Sequence, residues 1–402
     1  VLRHRLLAPA LRRSAASLVA IACLALAACS GGPSGLPGFD SPAAQTQPAE
    51  STGQTIGTGK VKVGLILPLT AEGQGAVVGN SLRNAAEMAL AEFPNADLTL
   101  LVKDDRGTPE GAQAAAQEAL REGAELIIGP LFAPSVQAAG QVARGANRPV
   151  IAFSSDTNAA GRGVYLLSFP PENDVNRVIA YASQQGRKSF AGMVPDTAYG
   201  KVVEAAFQQA VAARGGRVVA IERFSADQAA MRASAARLTP ALQQADALFV
   251  PAAADTMPAL GLALQQAGYD PTKVKPLGTG VWNDANVARV PAIQGGWFAS
   301  PDTAGFNAFA GRYQARFNSA PTRTATLAYD AVSLSAALAR TQGSQRFSEA
   351  VLTNASGFAG ADGVFRFRPD GQIDRGLAVL ELRNGQIVTI NAAPRDLGPR
   401  TQ

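Results

Sequence analysis

Histidine and cysteine are almost missing from this chain. One histidine, His4, and two cysteines, Cys23 and Cys29, are all that 402 residues carry. His4 and Cys23 fall in the opening stretch. There Arg3, Arg5, Arg12 and Arg13 precede an apolar run from Ser14 to Leu26. That order reads as a secretory leader, and the run is short for a membrane span. With the leader removed ahead of Cys29, no histidine and a single cysteine remain. Ser-His-Asp and Cys-His catalysis are then excluded, as are zinc sites built on histidine. An internal disulfide is excluded too. Paired-carboxylate hydrolysis and an all-oxygen metal site stay open, but neither has a visible motif. The expectation is a protein that is not an enzyme and uses no metal or cofactor.

An excess of charge of either sign is also missing. The 36 basic and 31 acidic residues give a net charge of +5. Four of the arginines precede Cys29, so the remainder is close to neutral. No basic footprint for nucleic acid is left. The tetrapeptide Leu26-Ala27-Ala28-Cys29 resembles the bacterial lipoprotein signal. The resemblance implies a mature protein that begins at Cys29, is lipidated there and sits in the periplasm on a membrane. Ser30, in place of the aspartate that marks inner-membrane retention in enteric bacteria, implies the outer membrane. The competing reading is an ordinary leader cut nearby.

From Ser30 to Lys60 large apolar residues are scarce, and Gly, Pro, Ser, Thr, Gln and Ala dominate. Residues 29–59 read as a flexible tether. The texture changes at Val61–Leu67, an apolar run that predicts a buried parallel strand. Asn80–Phe93 follows with helical periodicity: Leu82, Ala85, Ala86, Ala89, Leu90 and Phe93 share a face. Strands are predicted at 98–103, 126–129 and 150–153, with helices at 109–122 and 135–145 between them. A second series begins after Pro170-Pro171. Its predicted strands are 190–194, 217–224, 247–250 and 275–278, and its helices 173–185, 199–214, 228–243 and 256–267. Two late helices, at 306–317 and 324–340, precede a hairpin of 377–382 with 386–390 that turns at Asn384-Gly385. Alternation of this kind implies parallel sheets covered on both faces. About 335 residues in two such series suit two lobes rather than one core.

Three loop groups are candidate ligand contacts. Gly73-Gln74-Gly75, with Gly79, stands where a dinucleotide fingerprint would, but its glycine spacing is wrong. A loop passing a ligand cleft fits it better. The segments 129–135 and 153–158 follow strands, at the ends where open α/β sheets bind ligands. Ser154, Ser155 and Thr157 could hold a small polar solute there. Equally, Ser135 and Thr157 could be plain helix caps. Pro195-Asp-Thr-Ala-Tyr199-Gly200 is the matching loop of the second series. Tyr199 could close over a ligand or pack at a helix start.

Together, Val63–Thr70, Asp104–Pro109, Ile127–Pro130, Pro149–Ser154, Asp196–Gly200 and Tyr329-Asp330 resemble the type I periplasmic binding proteins of the leucine/isoleucine/valine-binding family. The likeness spans about residues 60–390. It implies two doubly wound α/β lobes joined by three crossovers near Phe169, Pro301 and Gly360, with a ligand clamped between them. Lobe one would be 60–169 plus 302–360, and lobe two 170–301 plus 361–393. Matched to the family, the carboxylate loop falls at Ala133, the following threonine at Thr157, the lobe-two aromatic at Tyr199 and the lobe-one aromatic at Gln74. The acid that pairs a ligand ammonium aligns near Gly280, beside Val281-Trp282, so an acid is expected to be missing there; Asp156 is the nearest substitute. The implied function is an extracytoplasmic receptor for an amino acid or related carboxylate, partnered by an ABC permease. Trp282 is counted with the ligand contacts. With the lipoprotein signal, the chain also looks like lipoproteins that activate penicillin-binding proteins. That implies the alternative of a scaffold for peptidoglycan synthases.

Overall fold

A computed structural model describes residues 54–398. The expected leader, Cys29 and most of the expected tether lie outside them. The described chain opens with Thr55–Ile56 (β1) and Val61–Leu67 (β2). β2 is buried everywhere except Lys62, as a strand with both faces covered must be. Then come Gln74–Glu92 (α1), Leu98–Asp104 (β3), Pro109–Arg121 (α2), Leu126–Ile128 (β4), Ala133–Gly145 (α3), Val150–Ala152 (β5) and Val164–Leu166 (β6). The strands form one sheet, β1-β3-β2-β4-β5-β6, parallel except for β1. The start of α2 shows the local cause of these helices. The Thr108 hydroxyl accepts from the Gly111 N–H at 3.0 Å, and Pro109 occupies the first turn. Ala112, Ala115, Ala116 and Ala119 then face inward on one stripe.

The second lobe repeats the pattern. It runs Pro171–Gln184 (α4), Ser189–Pro195 (β7), Ala198–Ala212 (α5), Arg217–Phe224 (β8), Gln228–Leu242 (α6), Ala247–Phe249 (β9), Met257–Gln266 (α7), Lys275–Gly278 (β10), Ala285–Ala288 (α8) and Trp297–Ser300 (β11). The chain then returns to the first lobe with Thr303–Phe317 (α9), Ala325–Thr341 (α10), Glu349–Leu352 (α11), Phe358–Gly360 (β12), Gly363–Phe367 (β13) and Ile373–Arg375 (β14). Ala378–Arg383 (β15) and Gln386–Asn391 (β16) finish the second sheet, whose order is β16-β15-β11-β10-β9-β7-β8.

Each sheet is packed on both faces. In the first lobe, Val63, Leu65 and Leu100 join Leu82, Ala86, Phe309 and Ala331 on one side. Ile66, Ile127 and Val150 join Ala116, Val136 and Ala139 on the other. In the second lobe, Phe190, Phe207 and Phe249 pack with Val178 on one face. Met193, Leu248 and Phe298 pack with Leu238, Leu260 and Trp282 on the other. Burial of each valine, leucine, isoleucine, methionine or phenylalanine among these contributes about 1.5–3 kcal/mol. The molecule is thus two doubly wound α/β lobes joined by three crossings of the chain.

Two expectations need correction. Residues 361–375 belong to the first lobe. There β12, β13 and β14 form a small antiparallel sheet, and Phe365, Phe367 and Ile373 enter the first lobe's core. Phe367 lies against Tyr165, with ring centroids 5.5 Å apart. The third crossing therefore falls at Gly376 rather than near Gly360. The tether also ends earlier than Gly59: β1 pairs with β3, and the Val102 N–H donates to the Gln54 carbonyl at 2.9 Å. β6, β11 and the strands of the small sheet, β12, β13 and β14, carry no strand expectation.

Candidate functional site

Between the lobes lies a cavity of about 310 Å³. Ser155, Phe169 and Arg323 line it from the first lobe. Asp174, Tyr199, Gly280, Val281 and Asn283 line it from the second, with Pro171, Ser300 and Pro301 at the crossings.

Backbone packing places the second-lobe wall. At the start of α5, the Thr197 hydroxyl accepts from the Gly200 N–H at 3.1 Å. A Cβ on Gly200 would stand 1.7 Å from the Pro195 carbonyl oxygen, so only glycine lets the helix begin on the end of β7. That seats Tyr199, whose hydroxyl shares a 2.7 Å hydrogen bond with the Thr279 hydroxyl. Burial raises the Tyr199 phenol well above its ordinary pKa, so it stays protonated. Past Gly278 the chain bends so that the Trp282 ring covers the glycine; a Cβ there would meet the indole at 2.2 Å.

This bend aims the Gly280 N–H at the first turn of α4. Its proton goes to Oδ2 of Asp174 at 2.9 Å. No other described group hydrogen-bonds this carboxylate, and its residue lines the cavity. Desolvation pushes the Asp174 pKa up to about 7, opposed by the Gly280 hydrogen bond and by Arg323 and Arg375.

On the first-lobe wall, Arg323 forks onto Asp362, with contacts of 3.0 and 2.7 Å. Asp362, which is 1% exposed, also accepts from the Thr326 hydroxyl. The Arg323 guanidinium lies 4.7 Å from the Phe169 ring centroid and 4.6 Å from that of Phe306. Arg375 approaches Phe169 at 4.4 Å, so two guanidinium groups attend one ring. Nε of Arg375 donates to the Ser168 carbonyl at 2.6 Å, while its terminal nitrogens are buried without a protein partner. Asp330 accepts from the Ala361 N–H at 2.7 Å through one oxygen; the other is buried and unpaired. Burial pushes Asp330 up to about 7. A smaller cavity of about 230 Å³ shares Arg323 and Asn283 and adds Thr303, Phe306 and Asn307.

The expected contacts divide. Ser155 and Tyr199 do meet at the cavity, one from each lobe. Ser154 is buried, and its hydroxyl accepts from the Asp156 N–H at 3.1 Å, which fixes the turn. Thr157 donates to Glu172 at 3.3 Å, a contact between the lobes that stands outside the cavity lining. Trp282 is a core residue: it is fully buried and its Nε1 donates to the Val250 carbonyl at 2.9 Å. Gln74 is exposed at the first position of α1, and Ala133 packs against Val136 and its neighbours in the first lobe; neither lines the cavity. Neither Ser135 nor Thr157 acts as a cap. α3 starts at Ala133 with no side-chain cap, and Asp156 caps the short turn through the Asn158 N–H. The glycine group serves packing: a Cβ on Gly79 would reach within 2.6 Å of the Pro68 carbonyl, and one on Gly75 would touch Phe132.

Phe169, Asp174, Asn283 and Arg323 were not expected as ligand contacts, although Phe169 was expected at a crossing. One signal existed for Asp174, an acid in a Pro-initiated first helical turn beside a crossing. Arg323 precedes a helix with nothing in its neighbourhood to distinguish it from a surface arginine. The groups assembled here are one guanidinium, one carboxylate, a phenol, an amide and two hydroxyls over apolar walls. They suit holding a small polar solute.

Known proteins bear on this geometry. The family described as periplasmic binding protein matches residues 60–386. Among solved structures, a branched-chain amino acid ABC transporter periplasmic ligand-binding protein from Burkholderia xenovorans superposes with a TM-score of 0.66 at 19% identity, covering 85% of this chain and 97% of that one. A leucine-binding protein from Thermotoga maritima gives 0.58 at 18% identity, with 83% and 98% covered. An ABC-transporter solute-binding protein from Rhodopseudomonas palustris, in complex with 3,4-dihydroxybenzoic acid, gives 0.57 at 22%, with 83% and 96% covered. No curated protein sequence matches significantly.

Proposed function

We infer that this chain, which belongs to the periplasmic binding protein family of the leucine/isoleucine/valine-binding type, is an extracytoplasmic receptor that clamps a small carboxylate-bearing solute and delivers it to an ABC permease. One observation carries the reading: polar groups from both lobes converge on a single inter-lobe cavity. Arg323, anchored by Asp362 and lying between the Phe169 and Phe306 rings, has further N–H groups left to meet a carboxylate. Asp174, Tyr199 and the Gly280 backbone form the opposite wall. The walls between, Phe169, Pro171, Val281 and Pro301, are apolar and fit a hydrocarbon or aromatic body. The solutes to try first are therefore amino acids and hydroxylated aromatic acids, the classes named for the similar structures. Three covalent crossings let the lobes close without disturbing either core. A lipid on Cys29 would hold the receptor at a membrane surface.

The second reading, a scaffold that activates peptidoglycan synthases by contact, draws on one observation. The segments at Gln74 and Ala133 stand away from the cavity, so the lobe-one contacts typical of amino-acid receptors are absent. A thermal-shift panel of amino acids, benzoates and muropeptides separates the two. A true ligand at 100-fold its dissociation constant stabilises by about 2.7 kcal/mol. No shift across the panel, with capture of a peptidoglycan synthase by the full chain, would replace the receptor reading with the scaffold.

A further inference from the structure

A cavity of about 550 Å³ opens on the first lobe away from the cleft. Its place in the sheet separates the two sites. Pro149 and Gly163 line it at the amino ends of β5 and β6. Ser155, which lines the cleft, follows the carboxyl end of β5.

Three arginines, Arg144, Arg148 and Arg162, stand on its wall. Arg162 approaches Glu349 at 3.4 Å and is 88% exposed at its side chain. Neither Arg144 nor Arg148 has a carboxylate partner among the described residues. Three guanidinium groups against one glutamate leave two positive charges uncompensated. Tyr165 forms part of the lining, its ring is buried, and its hydroxyl makes no hydrogen bond among the described residues. Here burial, reinforced by Glu349, pushes its pKa up to about 12, so it remains a donor at neutral pH.

We propose that this cavity is a second binding site, for a phosphoryl oxyanion held by Arg144, Arg148 and Arg162 with the Tyr165 hydroxyl as a further donor on its wall. Guanidinium forks match the paired oxygens of phosphate. A doubly charged group balances the two free cations, and a lone carboxylate does not. The same phosphoryl chemistry is carried by soluble phosphate esters and by lipid headgroups, and the test has one arm for each.

The full chain is titrated with inorganic phosphate by calorimetry at low salt, and cosedimented with phosphatidylcholine vesicles with and without phosphatidylglycerol. The variants are Arg144→Gln/Arg148→Gln, whose side chains are exposed, and Tyr165→Phe, which removes only the hydroxyl. The expected result is saturable binding, weakened at least tenfold in the double variant and severalfold in Tyr165→Phe, with Tyr199→Ala unchanged. Binding of phosphate without vesicles assigns the site to soluble esters; binding of anionic vesicles that the double variant loses assigns it to headgroups. Absence of saturable wild-type binding in both arms, or equal binding by the double variant, overturns the proposal.

Discussion

Oδ2 of Asp174 accepts a hydrogen bond from the backbone N–H of Gly280, 2.9 Å away. The two residues are 106 positions apart in the chain. The family resemblance places an acid near Gly280, where this chain has none. In space one is present, brought from the first turn of α4 because β10 ends beside it. This changes the ligand chemistry expected of the cleft. A solute with a donor group, hydroxyl or ammonium, has an acceptor waiting on the second lobe.

Replacement of Asp174 tests that point directly. Above about pH 7, where Asp174 is ionised, Asp174→Asn should weaken a solute that bears an ammonium or hydroxyl by about 1.5–3 kcal/mol, the range for a hydrogen bond to a charged group. It should leave the simple carboxylate analogue nearly unchanged. Calorimetry on the matched pair of solutes measures the difference, and equal loss for both would remove Asp174 from ligand recognition.

Tyr199 makes the complementary case. Tyr199→Ala is expected to weaken binding by about 1–3 kcal/mol, roughly 5- to 150-fold. Tyr199→Phe should lose less, since the ring stays and only the contact to Thr279 goes. A cleft ligand bound equally by wild type and Tyr199→Ala would place the site elsewhere.

Trp282 should behave as a core residue. Trp282→Ala is expected to cost about 3–5 kcal/mol of stability, since it removes a fully buried ring and its hydrogen bond to the Val250 carbonyl. Urea unfolding measures this. Unchanged stability with lost ligand binding would return Trp282 to the site.

Stability should fall as pH rises from about 4 to about 7. Asp330 and Asp174 are both pushed up to about 7 from an unfolded value of 3.8. Across that window the native protein holds protons the unfolded chain has released, so unfolding becomes easier with each increment of pH. The contribution is fully present below the unfolded pKa and lost on passing the native one. Asp330 is the more buried of the two, at 3% exposure. Asp330→Asn should therefore flatten the curve of urea midpoint against pH, by an amount on the order of 2 kcal/mol. A wild-type curve that rises through this window would contradict the assignment.

The edge strand matters to the folded body. A chain starting at residue 54 should melt like the longer protein, whereas one starting at residue 60 should lose about 1–2 kcal/mol. The latter removes β1, its pairing with β3 and the Gln54 contacts to Val102 and Arg83. Equal melting temperatures for the two shortened chains would show β1 to be dispensable.

Sequence alone determined the architecture, because apolar periodicity is a local property. β2, β8 and β10 appear over the residues the pattern predicts, and the α/β alternation implies two sheets covered on both faces. Tyr199 was legible for the same reason: a turn at a strand end marks it. What the sequence left undecided is which groups meet. Trp282 reads as a ligand aromatic beside a binding loop, but Gly278 lets its ring fold inward onto the core. Ser154 and Thr157 carry the right hydroxyls and turn them to Asp156 and Glu172. Phe365 and Phe367 look like the start of the second lobe, and packing against Tyr165 claims them for the first. Asp174, Arg323 and Phe169 come together only because the chain crosses between the lobes three times. Side-chain direction and long-range proximity are properties of the packed whole, and no short window of sequence contains them.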